Sequence, residues 1–247
     1  MNVRIGNFLY HYRNILFPAV YLLLFLKGRD GPFLLPDYRI AAVVGILVAL
    51  SGQLVRAITI GLEYIKRGGK NRMPYADDLV QGGIFAHCRN PLYVGNFTIL
   101  LGTGIASNSF WFMAVAIPFF LIAYRFIIAA EENFLRGKFG PAFDEYCSRV
   151  NRVMPNLSGI VETVRGMSFN WKRLISAEYN SAFAWSFAVC ASVFQNVWLA
   201  GQYSPTSQLV IALWVATGVI VLCYIIARVL KKTGKLRLPP PPQRQGA

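Results

Sequence analysis

Residues 82–95 hold the side chains of this sequence that are best suited to chemistry. His87 and Arg89 stand directly before Asn90-Pro91. Asn is a frequent helix N-cap and Pro fits the first helical position, so this pair predicts the start of a helix. The free backbone N–H groups of that first turn, close to two basic side chains, would suit a carboxylate or a phosphate. An ordinary junction between a loop and a membrane helix would have the same composition.

A second group of polar residues, Glu131-Glu132, follows two apolar runs that only the turn 107–109 separates. Two helices joined by so short a turn form a hairpin, which predicts that Arg89-Asn90 and Glu131-Glu132 are neighbours. Opposite charges on the two ends would suit a small zwitterion, with its carboxylate toward Arg89 and its ammonium toward Glu131 or Glu132. The alternative is that the glutamates form a solvated helix end.

The composition places these groups in a membrane protein. Hydrophobic residues make up 55% of the chain and charged residues 15%, whereas about 25% is usual for a soluble domain. The mean hydropathy is +0.44. Six apolar runs predict an all-α polytopic membrane protein with about six transmembrane helices: 8–26, 40–62, 92–106, 110–130, 181–200 and 209–230.

The distribution of charge predicts the topology. The net charge is +14, and the basic residues concentrate in 63–91, 131–180 and the tail, while the turns 107–109 and 201–207 carry no charge. The positive-inside rule therefore places both termini and the candidate site on the cytoplasmic face of a bacterial inner membrane or the endoplasmic reticulum. The rule accounts for the basic residues without a nucleic-acid partner. The four cysteines have no metal-ligand spacing, and no metal site is expected.

The segment 131–155, after the fourth span, has a different character. Its large apolar residues recur at helical spacing, and Gly140-Pro141 interrupts them: Leu135, Phe139, Phe143, Tyr146 and Val150. This pattern predicts an amphipathic, cytoplasmic helical segment with a break. It is expected to lie along the membrane surface or to fold back over the loop before Asn90.

One arginine, Arg56, falls inside the second apolar run. A charge at that depth faces protein, water or the interface rather than lipid tails. Arg56 is therefore expected to snorkel toward the basic loop that contains Lys66, unless it has a functional role. Arg13, in the first run, is expected at the interface.

These features divide the chain into five regions. They are two helices and a basic loop (1–76), a central core (77–155), a polar connector (156–180), two C-terminal helices (181–230) and a basic, Pro-rich tail (231–247) that is expected to be disordered.

The central core resembles the integral-membrane methyltransferases, which include isoprenylcysteine carboxyl methyltransferases and phospholipid N-methyltransferases. The resemblance covers 78–155 and rests on the motif 89–95 (Arg-Asn-Pro-Leu-Tyr-Val-Gly), the hairpin, and Glu131-Glu132. It implies S-adenosylmethionine as cofactor, in contact with Asn90, Tyr93 and Glu131 or Glu132. The carboxyl methyltransferases have Arg-His-Pro where this chain has Arg89-Asn90-Pro91, and Phe143 stands where their pattern has a tyrosine. The resemblance therefore does not decide which group accepts the methyl.

The resemblance predicts an S-adenosylmethionine-dependent methyltransferase that acts on a lipid-like or prenylated acceptor through a carboxyl, amine or thiol group. Arg89 and Arg56 are the candidate catalytic residues because either could hold an acceptor carboxylate. The candidate cofactor contacts are His87, Asn90, Tyr93, Gly95, Glu131 and Glu132. The alternatives are a non-catalytic membrane relative that serves as a binding or scaffold protein and, less favoured, a transporter.

Overall fold

The fold is a bundle of long helices, in agreement with the predicted all-α class. The computed structural model describes residues 2–27, 31–62, 67–70 and 73–237. The helices are α1 (Asn2–Lys27), α2 (Tyr38–Leu62), α3 (Pro91–Ser107), α4 (Ile117–Phe139), α5 (Pro141–Arg149), α6 (Ile160–Arg165), α7 (Trp171–Leu199) and α8 (Gln208–Lys232). The loop after α2 contains a hairpin of two short strands, β1 (Arg67–Lys70) and β2 (Met73–Ala76). A 3-10 turn, Gly83–Ala86, precedes α3, and a π-helical stretch, Phe112–Ala116, leads into α4.

Five helices of the described chain are long and apolar enough to cross a membrane: α1, α2, α4 with its π-helical stretch, α7 and α8. Helix α3, with 17 residues, is shorter. The predicted count of six spans therefore depends on α3, which forms the short first arm of the expected hairpin.

Small residues let α2 and α3 pack backbone against backbone. A Cβ atom at Gly102 would lie 2.6 Å from the carbonyl oxygen of Gly45 and would also meet Ala49. A Cβ atom at Gly52 would lie 2.7 Å from the carbonyl oxygen of Gly95. Because this apposition leaves no room for larger side chains, the α2–α3 pair is a rigid unit that fixes the start of α3 against the middle of α2.

Uncharged turns meet at one end of the bundle. Asn108, in the turn after α3, donates a hydrogen bond of 3.0 Å from Nδ2 to the carbonyl oxygen of Leu35. Gln202, in the turn after α7, accepts one of 2.8 Å from the Tyr38 hydroxyl. The uncharged turns 107–109 and 201–207 therefore lie on one side of the molecule, as the charge distribution predicts, and the turn 31–37 lies beside them.

The amphipathic segment folds over the loop before α3 at the opposite end. Helix α4 ends at Phe139, and α5 begins at Pro141 after Gly140, whose φ of +53° is readily available only to glycine. The predicted break at Gly140-Pro141 is thus confirmed. The expected apolar residues pack with Ala76 and Leu79 in a small core, and the Tyr146 hydroxyl donates a hydrogen bond of 2.8 Å to the carbonyl oxygen of Phe85.

Two predictions concern residues outside the described chain. Lys66, toward which Arg56 was expected to snorkel, lies outside it, as does 238–247, the greater part of the predicted tail.

Candidate functional site

A cavity of about 710 Å³ opens where α3 begins, between α1, α2, α4 and α7. Pockets of about 300–1,000 Å³ are typical for small organic ligands and cofactors. Of the predicted cofactor contacts and catalytic residues, five line this cavity. They are Arg89, Asn90, Tyr93, Glu131 and, from α2, Arg56. Other helices contribute Tyr10, Arg13, Phe17, Tyr124, Asn180, Ser181 and Ala184.

Tyr93 and Glu131 face each other across the hairpin. The Tyr93 hydroxyl donates a hydrogen bond of 2.8 Å to Oε1 of Glu131. The Tyr93 ring also packs edge-on against Tyr124 of α4, with ring centroids 5.4 Å apart. The predicted proximity of the two hairpin ends is therefore confirmed, and an anionic oxygen beside aromatic rings lines the cavity.

Glu132 has different surroundings from Glu131. It is only 5% exposed and accepts hydrogen bonds at Oε1 from Arg89 (3.2 Å) and from Arg152 (3.1 Å), and Arg152 also donates to its Oε2. Glu132 does not line the cavity but lies behind its wall. One carboxylate shared by two guanidinium groups joins α4 to the loop before α3 and to the segment after α5, which is a structural arrangement.

Arg89 connects the same elements. Its Nη1 donates hydrogen bonds of 2.8 and 2.7 Å to the carbonyl oxygens of Cys147 and Val150, where α5 ends. These donors satisfy carbonyls that the helix leaves without partners. The Nε–H of Arg89 has no hydrogen-bond partner among the described residues, although Arg89 lines the cavity. Most of the guanidinium thus serves the fold, and its Nε–H is buried.

Asn90 does not cap α3 through its side chain, contrary to the expectation from the sequence. Its amide instead donates a hydrogen bond of 3.0 Å to the carbonyl oxygen of Arg152. Pro91 does occupy the first position of the helix. The segment after α5 therefore competes successfully for the Asn90 amide, and the first N–H groups of α3 receive no bond from that side chain.

His87 is buried and holds the connector that follows α5. Its Nδ1 lies 2.8 Å from the carbonyl oxygen of Asn156, and its Nε2 lies 2.8 Å from Oγ1 of Thr163 in α6. The structure therefore places His87 beneath 156–163, and it is not among the residues that line the cavity.

Burial raises the pKa of the thiol of Cys88, the residue after His87. Cys88 is 2% exposed, and this burial raises the pKa of its thiol, while the backbone of Asn90 and the charge of Arg89 partly offset the increase. A raised pKa keeps the thiol neutral at physiological pH, so Cys88 is a packing residue rather than a nucleophile.

Arg56 binds within the protein and does not snorkel toward the basic loop, which corrects that expectation. Its Nε and Nη2 donate hydrogen bonds of 2.8 and 2.5 Å to Oε2 and Oε1 of Glu178 in α7. Nη1 donates to Oδ1 of Asn96 in α3. Gly95 does not line the cavity; a Cβ atom there would lie 2.5 Å from Cγ of Arg56, so Gly95 leaves space for that side chain.

Sequence reasoning missed the contribution of α1. Arg13 stacks on the ring of Tyr10, with its guanidinium carbon 4.0 Å from the ring centroid, and both residues line the cavity. The signal was present in the spacing, because Tyr10, Arg13, Asn14 and Phe17 recur at three- and four-residue intervals on one helix face. Assigning Arg13 to the membrane interface concealed it.

Taken together, the cavity presents both signs of charge and several aromatic rings. Arg13 and Glu131 line it with opposite charges, and Arg56 and Arg89 have Glu178 and Glu132 directly behind them. Such a lining can hold a small zwitterion with an aromatic part. Within the described residues, no group of three or more His, Cys, Asp or Glu side chains could hold a metal ion.

Comparison with known proteins relates this geometry to a family. Residues 40–142 match the family model described as phospholipid methyltransferase. A probable protein-S-isoprenylcysteine O-methyltransferase of Oryza sativa subsp. indica is 26% identical over 126 residues, which cover 49% of this chain and 64% of that protein. These matches confirm the resemblance to integral-membrane methyltransferases, and the family-model match covers nearly all of α2, then α3, α4 and the start of α5.

Two bacterial relatives carry other names. The chain is 34% identical to the cobalt-zinc-cadmium resistance protein CzcN of Cupriavidus metallidurans. The match extends over 137 residues and covers 55% of this chain and 58% of CzcN. It is 36% identical to the nickel-cobalt-cadmium resistance protein NccN of Alcaligenes xylosoxydans xylosoxydans. This match extends over 81 residues and covers 33% of this chain and 38% of NccN. The chain thus matches these relatives over about half of their length or less. No solved structure matches the chain.

Proposed function

We propose that this chain is a membrane-embedded methyltransferase that takes a methyl group from S-adenosylmethionine and transfers it to a lipid-like acceptor. The observation that carries the proposal is the Tyr93–Glu131 pair, which faces a cavity of about 710 Å³ and lies within the residues that match the methyltransferase family. The pair is polar and supported on two helices, as a binding group in a preformed pocket needs to be.

The chemistry of the lining fits the cofactor. S-adenosylmethionine carries a carboxylate, an ammonium, a ribose, an adenine ring and a cationic sulfonium. Glu131 offers the anionic group for the ammonium or the ribose hydroxyls, and the aromatic rings of Tyr93 and Tyr124 offer faces for adenine or for the cation. Arg13, Arg89 and the backbone N–H of Leu92 in the first turn of α3 are the candidate partners of the carboxylate.

The proposal separates the two glutamates that the sequence left as alternatives. Glu131 lines the cavity, whereas Glu132 binds Arg89 and Arg152 behind it. We therefore assign the cofactor contact to Glu131 and a supporting role to Glu132. Asn90 and Tyr93 keep their proposed contacts because both line the cavity. For His87 the proposed effect on the cofactor is indirect, through the connector, whereas Gly95 leaves space for the side chain of Arg56.

The chain's contribution to catalysis would be positioning. When bound, S-adenosylmethionine supplies a methyl group on an electrophilic sulfonium. Holding the two reactants in line in a water-poor cavity can supply about 7–11 kcal/mol of the barrier. Methylation of a carboxylate acceptor would release no proton, whereas methylation of an amine or a thiol would release one. Glu131 is the carboxylate on the cavity wall that could take that proton.

Exposed residues of α1 and α7 in the cavity wall support access for a lipid-like acceptor. Asn14 and Pro18 of α1 and Asn180 and Ala184 of α7 line the cavity and are exposed. An amphiphile in the bilayer could therefore approach between α1 and α7. The basic residues at this end support the cytoplasmic face as the location of the site.

The direct test is binding followed by transfer. The purified full chain in nanodiscs should bind S-adenosylmethionine in calorimetry and should transfer a labelled methyl group to a component of a membrane lipid extract. Binding without transfer to any lipid or small hydrophobic acceptor would favour the non-catalytic relative. No binding would refute the proposal.

A further inference from the structure

Helix α7 lies outside the residues that match the methyltransferase family, yet it supplies part of the cavity wall. We infer that Glu178 of α7 is a positioning residue, which holds Arg56 in the cavity and cancels its charge, so that the acceptor is recognised through an uncharged polar group. This inference rests on the proposed function, because it assigns the Arg56 side of the cavity to the acceptor.

The geometry of the pair fixes the guanidinium. Both donors on one edge of Arg56 reach the two oxygens of Glu178, at 2.8 and 2.5 Å, which is the bidentate arrangement that holds a guanidinium plane in one orientation. Nη1 donates to Asn96 and, at 3.5 Å, to the carbonyl oxygen of Leu92. A guanidinium has five N–H donors, so one on Nη2 is left without a partner among the described residues.

Glu178 is itself held in place by neighbours on two helices. Nε2 of Gln53 in α2 donates a hydrogen bond of 3.1 Å to its Oε2, and Nε1 of Trp185 donates one of 2.8 Å to Oε1 of Gln53. This chain of side chains runs from α7 through α2 and back to α7. A carboxylate fixed in this way can act on Arg56 only by holding it, because Glu178 is not among the residues that line the cavity.

The charge of the pair determines what the wall can recognise. The side chains of Arg56 and Glu178 are 12% and 5% exposed, so the two charges compensate each other with little screening by water. An anionic head group at Nη2 would meet the nearby charge of Glu178 as well as that of Arg56. An uncharged hydrogen-bond acceptor with two lone pairs, such as a hydroxyl or a thiol, can take the remaining N–H without that penalty.

The neighbours of Glu178 on α7 complete this part of the cavity. Asn180, Ser181 and Ala184 follow within two turns and line the same wall. These two uncharged polar side chains and the methyl group of Ala184 suit the uncharged part of an amphiphile next to its head group. They are less suited to an ionised group. Helix α7 is on this account part of the site and not an appended anchor.

The test compares two probes that differ in head-group charge: decanol and decanoate at pH 7.5. Binding of each probe to the full chain in nanodiscs is measured by equilibrium dialysis against empty nanodiscs. The parent should bind decanol at least as tightly as decanoate. Glu178→Gln exposes the charge of Arg56, so it should shift the ratio toward decanoate by about tenfold. Glu145→Gln, on the exposed face of α5, is the control and should leave the ratio unchanged.

A second variant protects the test from a folding defect. Arg56→Gln with Glu178→Gln removes both charges, and replacing a buried pair in full is better tolerated than removing one partner. This variant should return the ratio to the parent value. A parent that prefers decanoate, or an unchanged ratio in folded Glu178→Gln, would overturn the inference. If Glu178→Gln does not fold, a parent-like absolute affinity of the double variant for decanol would overturn it, and a tenfold loss would support it.

The two proposals can fail separately. Glu178→Gln should keep the affinity for S-adenosylmethionine within about twofold of the parent, because Glu178 is assigned to the acceptor side. If the parent does not bind S-adenosylmethionine but the probe ratio responds as described, the proposed function fails while the assignment of Glu178 to a ligand-binding wall stands. If S-adenosylmethionine binds normally and the ratio does not respond, only the assignment of Glu178 fails.

Discussion

The hydroxyl of Tyr93 lies 2.8 Å from Oε1 of Glu131, which joins residues 38 positions apart at the two ends of a helical hairpin. The hairpin turn, on the far side of the bundle, makes this contact possible, and the close packing of α2 and α3 fixes where α3 starts. Both side chains line the cavity. Of the two adjacent glutamates, Glu131 is therefore the one whose side chain lines the cavity.

Removing the charge of Glu131 should weaken cofactor binding without weakening the fold. Glu131→Gln loses a charge-assisted hydrogen bond, which is worth about 1.5–3 kcal/mol, or roughly ten- to a hundredfold in the Kd for S-adenosylmethionine. Tyr93→Phe keeps the ring and loses one neutral donor, so a loss of about tenfold or less is expected. Calorimetric titration measures both, with Glu145→Gln as the exposed control. Parent-like affinity in both variants would place the cofactor elsewhere.

The adjacent glutamate should show the opposite behaviour. Glu132→Gln leaves Arg89, whose side chain is 12% exposed, without its carboxylate, and breaking such a buried pair costs about 3–5 kcal/mol of stability. We expect a clear fall in melting temperature, and no loss of S-adenosylmethionine affinity in the fraction that remains folded. A stable Glu132→Gln protein with selectively weakened binding would reverse our assignment of the two glutamates.

The elements around this site were predictable because their signals are local. A short uncharged turn, Gly140-Pro141 and the apolar spacing around it each dictate structure within a few residues, and all three have the predicted outcome. The partner of Arg56 was not predictable, because Glu178 lies 122 residues away and only the packing of α7 on α2 and α3 brings it near. The roles of Glu131 and Glu132 depend similarly on Arg152, which reaches Glu132 from the segment after α5.

Close packing of α2 on α3 should make Gly102 intolerant of any side chain. A Cβ atom there would lie 2.6 Å from the backbone of Gly45, so Gly102→Ala must push the helices apart at a cost of about 1–3 kcal/mol. Gly218 of α8 is the matched control, because a Cβ atom there would have no neighbour within 4 Å among the described residues. Gly218→Ala should leave the melting temperature unchanged or slightly raised. Equal melting temperatures for the two variants would contradict the packing described.

The buried thiol of Cys88 should titrate at higher pH than an exposed thiol. Because burial raises its pKa, less thiolate is present at any pH below that pKa than for an ordinary thiol near 8.5. In a variant that keeps only Cys88, the maleimide reaction should be slow at pH 8 and should still accelerate above pH 8.5. A cysteine at exposed Ser158 in a cysteine-free chain should react faster and level off earlier. Matching pH profiles would mean that Cys88 is not shielded.

The orientation of the bundle can be tested with one cysteine at each end. Thr206 lies in the uncharged turn after α7, whereas Ser158 lies near the basic residues at the opposite end: Arg136, Lys138, Arg149, Arg152, Arg165, Lys172 and Arg173. Because lysine and arginine are retained on the cytoplasmic side, we propose that Ser158 faces the cytoplasm and Thr206 does not. Both positions are exposed, so a failure to react reports the membrane and not burial.

In a chain whose native cysteines are replaced, Thr206→Cys should react with a membrane-impermeant maleimide in sealed, right-side-out membranes. Ser158→Cys should react only after the membranes are permeabilised, and both should then react to the same extent. The reverse pattern would place the cavity on the non-cytoplasmic face, where a cytoplasmic cofactor such as S-adenosylmethionine could not reach it directly. Reaction of both sites before permeabilisation would contradict the arrangement of the two turns at opposite ends of a membrane-spanning bundle.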